Sequence, residues 1–146
     1  MTMNDDWLRA QRELNADDEL GCVACRGDET LTGTGRGVKP LLAWLAAGQR
    51  LDGFSASDRV IGKAAAMLYI QLGAVAVHGH VMSEAGLAML QSHHVEAAYD
   101  DLVPMIRNRA NTGMCPIEQS VRDIDDPAQA EAPIRAAVAQ LMAARS

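Results

Sequence analysis

One stretch of the chain decides its fold: residues 57–94, SDRVIGKAAAMLYIQLGAVAVHGHVMSEAGLAMLQSHH. Its apolar periodicity predicts a strand, a helix, a second strand and a second helix, over Arg59–Ile61, Lys63–Leu72, Ala74–Val81 and Glu84–Gln91. Two strands joined by a helix are expected to be parallel and adjacent, with a right-handed crossover, so both helices should pack on the same face of the sheet. Both helices would then begin at one end of the sheet, where ligands of such folds usually bind.

The remaining elements complete an α/β fold. The patterns predict a helix, a hairpin and a helix before the central stretch, and a strand, a short helix and a last helix after it: Asp5–Glu19, Leu20–Arg26 with Glu29–Gly33, Val38–Gly48, Val95–Tyr99, a helix ending near Asp123, and Ala128–Ala143. Loops are predicted over Arg50–Ser57 and Asp100–Asn111. We expect a three-layer α/β/α sandwich with a mixed five-stranded sheet. Residues 1–19 would form an N-terminal helical extension, 20–123 the α/β domain and 124–146 a C-terminal helix.

Composition and charge narrow the possible functions. The 146 residues carry a formal net charge of −6 and lack a basic run, which argues against nucleic-acid binding and against binding to a membrane surface. No apolar stretch is long enough to span a bilayer, and the N-terminus is acidic rather than signal-like. Three cysteines, an odd number, fit a reducing compartment. These features predict a cytoplasmic protein.

Five segments carry a resemblance to a known family. They are Gly35–Leu42 (GRGVKPLL), Asp58–Ala66 (DRVIGKAAA), Ser83-Glu84-Ala85, Asn108-Arg109 and Thr112–Glu118 (TGMCPIE). Over about residues 20–122 the chain resembles the domain of unknown function 1893 family. The resemblance implies a cytidine deaminase-like fold whose activity is unsettled, and it implies assembly into a homo-oligomer.

Zinc deaminases hold their metal at two helix starts, with a His or Cys followed by a catalytic Glu at the first and Pro-Cys-x-x-Cys at the second. The corresponding segments here are Gly62–Ala65 and Met82–Gly86, and neither contains a histidine or a cysteine. We therefore expect no stoichiometric zinc and no other cofactor.

Two other pairs of metal-binding residue types lack partners in the sequence. Cys22 and Cys25 are three apart in a predicted strand, so their side chains should point to opposite faces, which suits buried core residues. His78 and His80 would present both imidazoles to one face of a strand, an arrangement that can bind metal. Without a third ligand, such a pair is more often a polar strand end.

The helix starts instead offer groups that suit an anion. Lys63 falls in the first turn of its helix, where a cation is unfavourable unless an anion such as Glu84, a phosphate or a carboxylate compensates it. The backbone N–H groups of Lys63 and of Ser83 and Glu84 are free donors in the same region. A solvated lysine is the alternative. With Asp58, Asn108, Arg109 and Glu118, these residues form the predicted ligand-binding set.

Cys115 is the candidate nucleophile, together with Glu84 as a second catalytic candidate. Pro116 makes Cys115 the N-cap of a short helix, and Glu118 stands at the capping-box position. A helix N-terminus lowers the pKa of a thiol and favours reactivity. No histidine is close in sequence to act as a base, so a structural cap is the alternative.

Three functions remain open from the sequence. The first is a deaminase-like domain that binds a small anionic ligand, such as a nucleotide, without zinc. The second is an interaction or regulatory module that has lost catalysis. The third is a deaminase or hydrolase with an atypical active site.

Overall fold

The computed structural model describes residues 4–144, so the ends of the two predicted terminal segments, residues 1–3 and 145–146, lie outside the described residues. Residues 4–144 form a five-stranded mixed sheet and six α-helices. In chain order these are α1 (Asp5–Ala16), β1 (Leu20–Arg26), β2 (Glu29–Thr34), α2 (Lys39–Ala46), β3 (Ser55–Ile61), α3 (Lys63–Leu72), β4 (Ala76–Ser83), α4 (Glu84–Ser92), β5 (Glu96–Val103), α5 (Pro116–Ser120) and α6 (Glu131–Ala144).

The strand order is β2-β1-β3-β4-β5. β1 pairs antiparallel with both β2 and β3, whereas β3, β4 and β5 run parallel. The predicted parallel pairing of the two central strands is therefore confirmed. The hairpin turn also lies between Arg26 and Glu29, as predicted, with these two residues paired and Gly27 in the left-handed region (φ 56°).

Helices lie on both faces of the sheet. On one face, α1 buries Ala10 and Leu14 against Val23 and Cys25 of β1. On the other, the larger part of the core joins Cys22 and Ala24 of β1 to buried residues of α2, α3, α4 and α6. The two strand cysteines thus point to opposite faces, as their spacing predicts. Within the described residues, no helix is both long enough and apolar enough to cross a membrane.

The buried side of α1 explains why so polar a helix packs here. Trp7 is fully buried and donates its indole N–H to the Ala56 carbonyl of β3 (3.0 Å). Asn4 caps the helix by accepting a hydrogen bond from the Trp7 backbone N–H (2.7 Å). One aromatic anchor and a cap therefore fix α1 on the sheet.

Two strands, β3 and β5, extend four residues beyond their predicted limits, and β4 lies two residues later than predicted, at Ala76–Ser83 rather than Ala74–Val81. β3 begins at Ser55, inside the predicted loop Arg50–Ser57, because the hydroxyls of Ser55 and Ser57 are buried and hydrogen-bonded to Asn4 and His78. β5 continues to Val103, past the predicted end at Tyr99, because it is an edge strand whose exposed side chains can be polar. Both added segments contain small or charged residues, so a prediction based on hydrophobicity does not recognise them as strands.

The last helix also begins later than predicted. A 3₁₀ turn occupies Pro127–Gln129, and α6 starts at Glu131 with Pro133 in its first turn. Proline is tolerated there because the first turn needs no intrahelical donor. The helix predicted from Ala128 thus begins three residues later, at Glu131.

Candidate functional site

The carboxyl ends of β3 and β4 bring the starts of α3 and α4 together. Gly62 and Ser83 are the N-cap residues of these helices. The Ser83 hydroxyl accepts a hydrogen bond from the Gly86 N–H (3.0 Å), which closes the first turn of α4. At Gly86 an added Cβ would lie 3.0 Å from the Gly62 carbonyl, a tight contact, so a larger residue would push the two helix starts slightly apart.

The Glu118 carboxylate, carried by α5, caps the start of α3. Its Oε1 accepts from the Lys63 N–H (2.6 Å) and its Oε2 from the Ala64 N–H (3.0 Å). The side chain is buried, with an exposed fraction of 9%. Burial raises the pKa of Glu118, an effect opposed by the two N–H donors and by the charge of Lys63. The anion that the helix start was expected to attract is thus supplied by the chain itself.

A cleft of about 390 Å³ opens beside this cap. Ala85, Ala88 and Met89 of α4 and the loop that follows β5 make most of it apolar. The loop closes on itself, because the segments at Arg107 and Met114 form an antiparallel bridge. The polar lining consists of Lys63, Ser83, Ser92, Glu118, Arg122 and Asp125.

Two cationic residues, Lys63 and Arg122, line the cleft together with two acids, Glu118 and Asp125. The Lys63 ammonium donates to the Arg122 backbone carbonyl (3.0 Å), which holds the lysine stem along the cleft. The carboxylate of Glu118 faces backbone N–H groups rather than the ammonium. Lys63 and Arg122 therefore keep charge available for a ligand, inside a cleft whose size lies in the range of small-molecule sites.

Most of the chain matches a known protein family. Residues 9–137 match the family model described as "TM1506: Domain of unknown function (DUF1893)". The chain belongs to the DUF1893 family. The family resemblance that the sequence motifs suggested is thereby confirmed, over a longer part of the chain than the motifs alone covered.

A solved DUF1893 structure has the same fold. It is the DUF1893 family protein TM1506 from Thermotoga maritima, which shares 24% sequence identity with this chain at a TM-score of 0.79. The match covers 95% of this chain and 92% of the Thermotoga protein. No curated protein matches the chain.

In this DUF1893 chain, part of the predicted residue set meets at the cleft. Lys63, Ser83 and Glu118 line it together. Glu84 is the first residue of α4, next to the cleft, but its side chain is exposed and does not line it. Asp58 lines a different cleft, of about 480 Å³, together with Arg36, Arg59 and residues that follow α1.

Among the carboxylic acids of the described residues, Asp58 has the pKa that is shifted furthest from its usual value. Its side chain is buried and accepts from the Tyr69 hydroxyl (2.7 Å) and the Val60 N–H (3.3 Å). Burial raises the pKa of Asp58 to about 7, against the lowering effect of those hydrogen bonds. Burial also raises the pKa of the neighbouring Cys22 thiol, and the charge of Asp58 raises it further. Asp58 therefore ties β3 to α3 through Tyr69.

The remaining candidates lie in the loop before α5. Asn108 bonds within the loop, its side-chain oxygen accepting from the Thr112 N–H (2.9 Å), and Arg109 is exposed. Cys115 is half-buried and its thiol makes no capping hydrogen bond, although its residue is the N-cap of α5. None of the three lines the cleft, whereas their neighbours Ile106 and Met114 do.

One polar cluster was missed because its third member lies far away in sequence. His78 and His80 of β4 meet Asp100 of β5, so the pair does have a third potential ligand, contrary to the sequence-based expectation. Asp100 fell in a predicted loop, and no local pattern connects it to the histidines. Only the extension of β5 to Val103 places it opposite them.

Proposed function

We propose that this chain is a deaminase-like domain that binds a small anionic ligand, such as a nucleotide, without zinc at its helix starts. The observation that carries the proposal is the cleft at the carboxyl ends of β3 and β4, where Lys63 and Arg122 face a largely apolar lining. A mostly apolar cleft with a few polar groups suits a ligand with a flat or apolar body and one charged group.

The deaminase-like part of the proposal is supported by the order and direction of the strands. An antiparallel hairpin lies beside three parallel strands, with both crossover helices starting at one end of the sheet. The zinc ligands of a deaminase are missing from Gly62–Ala65 and Met82–Gly86. The proposal therefore concerns ligand binding and assigns no deamination to the cleft.

The N–H groups of the α3 start are not the expected anion contacts. Glu118 already accepts from two of them, so the ligand would reach the side chains of Lys63 and Arg122 instead. The same observation supports the alternative function, an interaction or regulatory module. Because the Glu118 carboxylate already pairs with N–H groups at the start of α3, no ligand is needed to pair with these donors. An atypical deaminase or hydrolase has less support, since neither Cys115 nor Glu84 lines the cleft.

Assembly of two copies is proposed along β5. This strand is an edge of the sheet and exposes Tyr99 and Leu102. An edge strand with exposed apolar side chains can pair with a second chain. A cytoplasmic location is proposed on the odd number of cysteines, three, which fits a reducing compartment.

Titration of the full chain with mononucleotides and inorganic phosphate, followed by calorimetry, tests the ligand proposal. Lys63→Met keeps the aliphatic stem and removes the charge. We expect it to weaken nucleotide binding about tenfold, since one charge-assisted hydrogen bond contributes roughly 1.5 kcal/mol. The free energy of unfolding should change by less than about 1 kcal/mol, because a solvated charge contributes little to folding.

Lys39→Met is the matched control, since Lys39 is the other lysine of the chain and also lies in the first turn of a helix, away from the cleft. It should bind like the wild type. If the wild type binds no compound of the panel, the anionic-ligand function is wrong and the interaction module takes its place. Equal loss in both variants would show that binding depends on overall charge rather than on the cleft.

A further inference from the structure

Three potential metal ligands converge on the α1 side of the sheet. His78 and His80 are two apart on β4, so their side chains share one face. In the parallel register Gly79 pairs with Tyr99 and Val81 with Asp101, which places Asp100 directly opposite His80. One ligand atom from each residue lies within 4.8 Å of the others.

Asp100 bridges the two imidazoles. Its Oδ1 lies 3.0 Å from His78 Nε2 and its Oδ2 lies 2.6 Å from His80 Nδ1. The two rings stand edge to face, with centroids 5.4 Å apart. The two oxygens of the Asp100 carboxyl group thus each face one of the rings. These two nitrogen–oxygen distances are slightly shorter than in a metal site, in which donor atoms about 2.0–2.1 Å from the ion would lie roughly 3.3 Å apart.

The buried histidine is held by a partner behind it. Ser57 of β3 lies 2.9 Å from His78 Nδ1, and both side chains are buried. Metal-binding histidines usually have such a partner at the second ring nitrogen, which fixes the ring and leaves the first nitrogen for the ion. With an ion on Nε2, the single ring proton of neutral His78 lies on Nδ1 and is donated to the Ser57 hydroxyl, which can act as donor or acceptor.

The cluster is open on one side. The exposed fractions of the side chains are 2% for His78, 26% for His80 and 49% for Asp100, so an ion can enter past Asp100. Gln11 of α1 reaches to 3.5 Å from His78 Nε2, and its amide oxygen could provide a fourth ligand if the amide is turned. Two imidazoles and one carboxylate with open positions are the ligand set of catalytic zinc sites and of non-haem iron sites.

We propose that His78, His80 and Asp100 form a binding site for a divalent transition-metal ion, with Zn²⁺ as the probe. The site is separate from the ligand cleft: it lies under α1, whereas the cleft lies between the starts of α3 and α4. It replaces the sequence-based expectation of a metal-free chain, which considered only the helix starts and a histidine pair without a third ligand.

Equilibrium dialysis of the full chain against Zn²⁺, with metal measured by elemental analysis, tests the site. We expect one ion per wild-type chain and at least tenfold weaker binding in His80→Ala and in Asp100→Asn. Both substituted side chains are partly exposed, so the variants should fold, which circular dichroism would check. His93→Ala is the matched control, because His93 is an exposed histidine at the end of α4 and should leave binding unchanged.

A second measurement uses only the wild-type protein and does not depend on how the variants fold. The chain has four histidines, His78, His80, His93 and His94. Added Zn²⁺ should shift the imidazole NMR signals of the first two and leave the other two in place. The proposal is overturned if the wild type retains no zinc after dialysis. It is equally overturned if zinc binds without moving the signals of His78 and His80, or binds as tightly to Asp100→Asn as to the wild type.

Discussion

Replacing Glu118 by glutamine tests whether its carboxylate holds the start of α3 in place. The carboxylate accepts from two backbone N–H groups, at 2.6 and 3.0 Å. A glutamine has one acceptor oxygen, so its NH₂ group would face one of these donors and leave that donor unpaired. A hydrogen bond to a charged group contributes roughly 1.5–3 kcal/mol, and losing one leaves a buried donor unsatisfied.

The expected loss lies near the lower end of that range. Burial already disfavours the ionised carboxylate, as the raised pKa of Glu118 indicates, and the neutral amide avoids this cost. We therefore expect Glu118→Gln to lower the free energy of unfolding by about 2 kcal/mol. An unfolding entropy of about 2.1 cal/mol/K per residue converts this into a fall in Tm of roughly 6–7 °C.

Urea unfolding and a thermal scan of the same samples measure this change. Glu84→Gln is the matched control, because Glu84 is an exposed acid in the first turn of α4 and its loss should cost less than about 1 kcal/mol. A fall of under about 0.5 kcal/mol in Glu118→Gln, or an equal fall in the control, would refute a specific role for the cap.

Gly62→Ala examines the same contact from the opposite side. A Cβ at Gly62 would overlap the Glu118 carboxylate, although the backbone there (φ −96°) suits alanine. The variant should expel the carboxylate and lose a similar amount of stability. Combined with Glu118→Ala, it should add little further loss, since both changes remove one interaction. Additive losses in the double variant would contradict the arrangement.

Two further predictions concern the buried acid and the sheet edge. The raised pKa of Asp58, about 7, means that the folded state binds a proton that the unfolded state releases near pH 4. As the pH rises from about 4 to about 7, the wild type should therefore lose stability relative to Asp58→Asn. Urea unfolding of both proteins at several pH values measures this. A difference in the free energy of unfolding that stays constant with pH would contradict the prediction. If β5 joins two copies, light scattering should show a dimer that Leu102→Glu dissociates, whereas a monomeric wild type, or a dimer unaffected by the change, would exclude this interface.

The sequence alone determined the arrangement of the central strands and helices. In residues 57–94, apolar residues recur at strand and helix spacing, and glycines mark the helix ends. Two neighbouring strands joined by a helix are then parallel, because the helix returns the chain to the end of the sheet at which the first strand began. The bounds of α3, Lys63–Leu72, match the prediction at both ends, because Gly62 and Gly73 stop the helix through local backbone preferences. Topology likewise places Lys63 and Ser83 at one end of the sheet, whereas Glu118 joined the predicted set through the family-matching segment Thr112–Glu118.

Only the tertiary structure decided which polar groups meet. Glu118 was expected near the cleft, but no local rule shows that its carboxylate, 55 residues from Lys63, caps that helix. Ser55 and Asp100 were assigned to predicted loops. Ser55 is buried in a central strand and Asp100 is exposed in an edge strand, and neither position can be recognised from the neighbouring residues in the sequence. Asp100 reaches His78 and His80 only through the register of β4 and β5. Pairing across strands joins residues that are distant in the chain, so a reading based on sequence period cannot supply it.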